Sequence, residues 1–260
     1  MSTDHSTKIN HLLRSQTPGT VILSSWLVEK GYSLDLQKRY KKSKWLETIG
    51  NGALIRFGDK IGYEGAVYAL QQQLGSSIHP GGRTALSLQG KAHYLELATA
   101  KATLFGPLKE LLPLWFRKYE WGLEIEYHRS SFLPPHIGMI DVELKSFSIK
   151  VSSAARALME CLYLAPAHQS LQECYELMEG LNNLRPTLVQ QLLEQCNSVK
   201  VKRLFMYMAE KAGHGWVQYL DMKKIDMGKG KRSLVENGAY VAKYQITVPK
   251  ELENHGEQSV

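Results

Sequence analysis

Cysteine is scarce in this chain of 260 residues. Cys161, Cys174 and Cys196 are far apart and form no CxxC pair, so they suggest neither a zinc site nor a disulfide framework and read as reduced core thiols. Long apolar runs are lacking too. None approaches the ~20 residues that span a bilayer, and the polar N-terminus has no apolar signal region, which points to the cytoplasm and to no membrane partner. The signatures G-x-S-x-G and H-E-x-x-H do not occur, no Cys–His arrangement is visible, and the nine histidines are scattered without ligand spacing. The expectation is a protein that is not an enzyme and needs neither a metal nor a cofactor.

Acidic residues are short in one place only. Residues 1–94 hold 12 Lys and Arg against 6 Asp and Glu, whereas residues 95–260 hold 20 against 19. Nearly all of the formal net charge of +7 therefore sits in the first third. Such a local surplus favours a polyanionic partner, nucleic acid above all.

Residues 1–7 read as a frayed tail. Ile9, Leu12 and Leu13 form a short helical stripe that Thr17-Pro18-Gly19 stops. A second helix is expected at Ser24–Lys30, where Ser24 can cap and Gly31 ends the run, and Ser33 then caps a third helix reaching Lys44. Two short strands follow around Gly50-Asn51-Gly52, where Asn and Gly tolerate the positive φ of a tight hairpin turn. Three short helices and a hairpin make the order of a winged helix-turn-helix. Helices at Tyr63–Leu74 and Arg83–Gly90 follow, and the composition changes after Tyr94.

Beyond that point Ala102–Phe105, Leu123–His128 and Met139–Val151 read as strands. Ala154–Leu164, Gln169–Leu181, Pro186–Cys196 and Val199–Lys211 read as helices, Val241–Val248 as a closing strand, and the polar end from Glu251 as loose. The predicted fold class is α+β. A DNA-binding winged helix-turn-helix occupies 1–94, and a mixed domain with a sheet and a helical cluster occupies 95–260.

On the third helix, a rotation of ~100° per residue puts Leu36, Tyr40 and Ser43 inward and Gln37, Lys41 and Lys44 opposite, flanked by Lys38. Arg39 and Lys42 lie at the margins of that outward face. A helix that enters the major groove needs cations for phosphates and a side chain that reads base edges. Gln37 can bond adenine, and Arg39 or Lys41 can bond guanine; Arg56, after the wing, can touch the backbone or minor groove. The other reading of this face is a solvated lysine-rich surface.

The blocks "TPGTVILSSWL", "LQKRYKKSKWLETIGNGALIRFGDK", "GAVYALQQQLG" and "HPGGRTALSLQGKAHYL" resemble the N-terminal domain of the AbiEi antitoxin family. "KVSSAARALMECLYL", "ELMEGLNNLRPTLVQQLLEQCNSVKVKRLF" and "DMGKGKRSLVENGAYVAKYQITVP" resemble its C-terminal domain, and the likeness covers roughly residues 8–250 in order. The resemblance implies an autorepressor that binds double-stranded operator DNA. It also implies an antitoxin that opposes a linked nucleotidyltransferase-type toxin without a stable complex. Carried over, Ser33, Gln37, Lys38, Arg39, Lys41, Lys42 and Lys44 of the reader helix and Asn51 and Arg56 of the wing match the DNA-contacting part. The polar segments implied for antitoxic activity hold Ser152, Ser153 and Arg156, then Lys200, Lys202 and Arg203, then Lys229, Lys231 and Arg232. Where the family often has Pro-Glu before the first of these arginines, this chain has Ala154-Ala155.

Other readings stay open. Glu143 and Lys145 alternate on a predicted strand and, with Glu124 or Glu126, could hold Mg²⁺ as a nuclease does; a solvent-facing strand gives the same pattern. "GKGKR" reads as an exposed basic turn or a phosphate contact, without the P-loop spacing. "HPGGR" reads as a turn between packed helices or a helix N-terminus that holds an anion. The aromatics Trp115, Phe116, Tyr119 and Trp121 read as packing or a domain interface before a base-stacking platform. A repressor that responds to a small ligand, with no antitoxic activity, is the remaining rival.

Overall fold

The structure is a computed structural model and describes residues 8–91 and 101–254. The tail at 1–7 and the composition change after Tyr94 lie outside the described residues.

The chain opens with α1 (Lys8–Ser15), β1 (Ile22–Leu23), α2 (Ser24–Glu29), α3 (Leu34–Lys42) and the hairpin β2 (Leu46–Gly50) and β3 (Ala53–Arg56). The three strands form one sheet in the order β1-β3-β2. In the hairpin turn Gly52, at φ +80°, has the positive φ expected of the turn, and Asn51 does not. One face of this lobe closes over its own small core of Leu12, Ile22, Leu27, Tyr32, Tyr40, Leu46 and Leu54. Alternation along the strands sends the neighbours Val21, Leu23, Ala53 and Ile55 the other way, into the main core of the chain.

Helices α4 (Tyr63–Leu74) and α5 (Gly82–Leu88), with the short β4 (His79–Pro80) between them, belong to that main core. β4 pairs with β5 (Lys101–Gly106), which pairs in parallel with β6 (Glu124–Arg129). The α6 helix (Leu114–Lys118) joins β5 to β6, and β7 (Met139–Glu143) and β8 (Ser148–Ser152) form a separate hairpin. The helical cluster is α7 (Ala154–Leu164), α8 (Leu171–Glu179), α9 (Pro186–Gln195) and α10 (Val199–Lys211). The fold is α+β, with a winged-helix lobe at its N-terminal end. Elements on both sides of residues 92–100 share one buried core, so α4, β4 and α5 pack with the strands and helices beyond residue 100.

Further details differ from the sequence reading: Met139–Val151, read as one strand, is the hairpin β7–β8, and Ser24 opens α2 without capping it. The segment 241–248 is a hairpin, β10 (Ala239–Val241) and β11 (Ile246–Val248), because Gln245 takes φ +50° and turns the chain; β9 (Arg232–Ser233) pairs with β11. The end expected to be loose holds α11 (Lys250–Asn254), pinned by the fully buried Leu252. α6 carried no sequence signal, since its five residues are too few to show a period.

α6 is also where the wing rests. A Cβ built on Gly50 would lie 2.6 Å from the Trp115 Cβ and 3.0 Å from its Cα, so the hairpin backbone packs directly on Cα and Cβ of Trp115. Gly50→Val is expected to cost about 1–3 kcal/mol by overpacking. Thermal denaturation checks this, and an unchanged midpoint would mean that the wing is not held there.

Candidate nucleic-acid interface

The helix-turn-helix is fixed by one side chain. Gln37, 3% exposed, points inward. Its Nε2 donates to the carbonyls of Ser24 (3.1 Å) and Tyr32 (2.9 Å), and its Oε1 accepts from Ser24 Oγ (2.6 Å). The amide thus ties the start of α2, the turn and α3 together. Its assignment as an adenine reader is corrected: the group is buried and fully engaged. The inward face of α3 is Gln37 and Tyr40, with Leu36 at its edge, and Ser43 is outside.

Turning α3 by that amount still leaves a basic surface. Lys38, Arg39, Lys41, Lys42 and Lys44 are all exposed. Asp35 pairs with Lys38 at 3.2 Å, an exposed contact worth little. Arg39, Lys41 and Lys42 have no ion pair among the described residues. Ser33 caps the helix, its Oγ accepting from the Leu36 N–H at 3.3 Å, and Ser43 is the C-cap.

Lys44 follows in the left-handed region at φ +56° and lays its ammonium 5.7 Å from the centre of the exposed Phe57 ring. Trp45, 45% exposed, lies beside it in sequence, and its carbonyl accepts from the Phe57 N–H. The two aromatics at the base of the wing were not singled out from the sequence. Asn51 is exposed at the wing tip, whereas Arg56 pairs in register with Leu46 at the base and is half-buried.

The C-terminal polar segments divide sharply. Ser152, Arg156, Lys202 and Arg203 are buried, so they are corrected as surface residues. Arg203 donates to the carbonyls of Met227 (2.8 Å), Gly228 (3.0 Å), Gly230 (2.6 Å) and Gln245 (3.3 Å), wrapping the 227–230 loop around a guanidinium. Lys200 is half-buried and caps the end of α7, giving 2.7 and 2.6 Å bonds to the carbonyls of Tyr163 and Ala165; burial pushes its ammonium below the ordinary lysine range. Only Lys229, Lys231 and Arg232, held out by the Arg203 anchor, remain exposed.

The anion suspected at the start of α5 turns out to be internal. Glu160, fully buried, takes the Gly82 N–H at 2.9 Å. It also accepts from Ser152 Oγ (2.9 Å) and Arg156 Nε (2.9 Å) and meets His79 Nε2 at 3.3 Å. Arg156 Nη1 donates to the carbonyls of Pro134 and Ile137, both at 2.6 Å. Burial alone would push the Glu160 carboxyl up; the His79 and Gly82 hydrogen bonds and the Arg156 charge outweigh it, and the carboxyl sits below the usual range. The i, i+4 spacing of Arg156 and Glu160 was the signal that could have revealed this pair.

The nuclease constellation does not assemble. Glu124 and Glu126 on β6 are tied to Lys101 at 3.2 and 2.8 Å, while Glu143 stands exposed on the separate β7–β8 hairpin and Lys145 just beyond it. Asp141 pairs with Lys150 at 3.3 Å. Among the described residues no group of three or more His, Cys, Asp or Glu could hold a metal, and no helix is long and apolar enough to cross a membrane. The three thiols are buried, and burial raises each of them, Cys174 to about 12. Trp115 and Phe116 are core residues, and Trp121 donates to the Phe116 carbonyl at 2.8 Å, so this aromatic run is packing.

Two family models match. Residues 5–97 match the N-terminal domain of the AbiEi antitoxin transcriptional regulators, and residues 99–249 match the AbiEi antitoxin transcriptional regulator of type IV toxin–antitoxin systems. No curated protein matches. Among solved structures, the RV2827C protein from Mycobacterium tuberculosis superimposes with a TM-score of 0.59 at 13% identity, over 92% of this chain and 89% of that one, a likeness of fold. The chain belongs to the AbiEi antitoxin family of type IV toxin–antitoxin transcriptional regulators.

Proposed function

We propose that α3 and the wing bind double-stranded operator DNA, and that the protein represses its own operon in the cytoplasm. The observation that supports this is the second helix of a helix-turn-helix and its C-terminal end presenting Lys38, Arg39, Lys41, Lys42 and Lys44 outward, all but Lys38 with no ion pair among the described residues. With Gln37 inside, base reading falls to Arg39 and the lysines, whose favoured partner is guanine; Asn51 and Arg56 serve the flanking backbone or minor groove. The operator contacts of α3 are thus guanines rather than adenines.

The test is affinity for the protein's own upstream DNA across a salt series. Replacing Arg39, Lys41 and Lys42 together by alanine is expected to weaken binding at least 100-fold at moderate salt. It should also flatten the slope of log K against log salt by roughly 1–3, about 0.9 for each of the three that meets a phosphate rather than a base. An unchanged slope would show that this face is a solvated surface.

In the same reading the elements beyond residue 95 oppose a nucleotidyltransferase-type toxin encoded next door, without a stable complex and without a cofactor. The exposed Lys229, Lys231 and Arg232 are the part available for that work. Because one core spans both sides of residues 92–100, the test belongs in the full chain. Alanine at all three positions is expected to leave the melting temperature and DNA affinity intact while rescue of toxin-expressing cells is lost. Undiminished rescue would remove this loop from the antitoxic surface.

A further inference from the structure

A cavity of about 400 Å³ opens beside the Glu160 network, where β4 meets β5 and the loops at 107–109 and 130–135. That volume is in the range of small-molecule sites. Lys109, Ser130, Ser131 and Arg156 are among its polar lining residues, together with His79, Gln195 and Asn197, and no carboxylate is among them. Phe105 and Leu133 give it an apolar wall.

The Arg156 side chain is 5% exposed, and its Nε and Nη1 are consumed by Glu160, Pro134 and Ile137. Nη2 has no partner among the described residues, yet it is not sealed off as the buried orphan atoms elsewhere are. A guanidinium held this rigidly, with one nitrogen left over at a cavity wall, is a preorganised donor.

We propose that this cavity binds a small organic phosphate. Carboxylate and phosphate both favour the two-pronged guanidinium fork, and here two of the three nitrogens are already bound, so neither can take it, and a planar carboxylate has only two oxygens for the remaining donors. A tetrahedral phosphate instead spreads its oxygens among separated donors. Nη2, the Lys109 ammonium and the Ser130 and Ser131 hydroxyls are such donors, and Phe105 and Leu133 would cover an organic body. The site would sit against His79 and the α5 start, next to the junction between the core and the N-terminal elements.

The experiment is thermal denaturation of the full chain with phenyl phosphate, inorganic phosphate or benzoate, each against sodium chloride of equal ionic strength. Phenyl phosphate is expected to raise the melting temperature saturably, by roughly 2 °C or more. Lys109→Ala combined with Ser131→Ala, both exposed and outside the buried network, should raise its half-saturating concentration at least tenfold. The Arg39, Lys41 and Lys42 alanine variant should leave it unchanged, which separates this site from the DNA face. A shift no larger than that of salt, or one untouched by the Lys109/Ser131 variant, overturns the site. Loss in the α3 variant assigns the binding to the DNA face instead. An equal response to benzoate overturns the tetrahedral choice, and half-saturation by inorganic phosphate at the same concentration overturns the organic body.

Discussion

Replacing Glu160 by glutamine is expected to destabilise the protein by about 3–5 kcal/mol, the cost of leaving a buried charge without its partner. The carboxylate receives from four directions: Ser152 Oγ, Arg156 Nε and His79 on Oε1, and the Gly82 N–H on Oε2. An amide has only one acceptor oxygen. Facing either way, glutamine sets an N–H against an N–H or O–H and leaves Arg156 charged in the interior. Gly81 leaves no room for adjustment, since a Cβ there would already lie 2.4 Å from Glu160 Oε2. Chemical denaturation of wild type and variant measures the loss, and a difference under about 1 kcal/mol would show that solvent supports the guanidinium instead.

The same group sets a pH dependence. The folded carboxyl lies below its ordinary value of 4.5, so its contribution is fully present above that pH and is lost as the pH falls through the folded value. Wild type should lose stability more steeply than Glu160→Gln on acidification below about pH 4.5. Parallel curves would mean that Glu160 titrates alike in the folded and unfolded chain.

Much of this architecture was legible. Tyr63–Leu74, Ala154–Leu164 and Val199–Lys211 appear with the bounds that the apolar period gave them, because long helices sample enough turns to fix a face. Polar burial was not legible. Arg203 sits in a run, "VKVKR", that reads as a basic surface, yet carbonyls from residues 227–245 surround it, and no local pattern announces partners at that distance. Lys200 was misread for the same reason, its acceptors being backbone carbonyls, which every sequence has; Arg156 also meets carbonyls, and only its i, i+4 pairing with Glu160 left a trace in the sequence. In α3 the wheel was misplaced by roughly 50°, because its few apolar residues, Leu34, Leu36 and Tyr40, do not share one face and a buried glutamine looks like a surface one. The basic character of the helix survived that error, since five cations in seven positions leave no rotation that hides them all.

Gln37→Ala is therefore expected to abolish operator binding through the fold rather than through a lost base contact. The substitution removes three hydrogen bonds and strands the carbonyl of Tyr32, a buried residue, which together cost about 2–4 kcal/mol. The lobe that bears the loss has a core of only seven residues, apart from the main core, so it should loosen first while the helical cluster keeps its stability. Hydrogen exchange would register this as faster exchange within 22–56 against unchanged protection in 154–209. DNA affinity should fall at least 100-fold, but whatever binding remains should keep the wild-type salt slope, because every phosphate-facing cation is still present. The Arg39, Lys41 and Lys42 variant should do the reverse, with exchange unchanged and the slope reduced. If Gln37→Ala instead keeps the wild-type exchange pattern and loses discrimination at a single adenine, Gln37 reads bases after all, and α3 sits in its groove about one side chain away from the rotation described here.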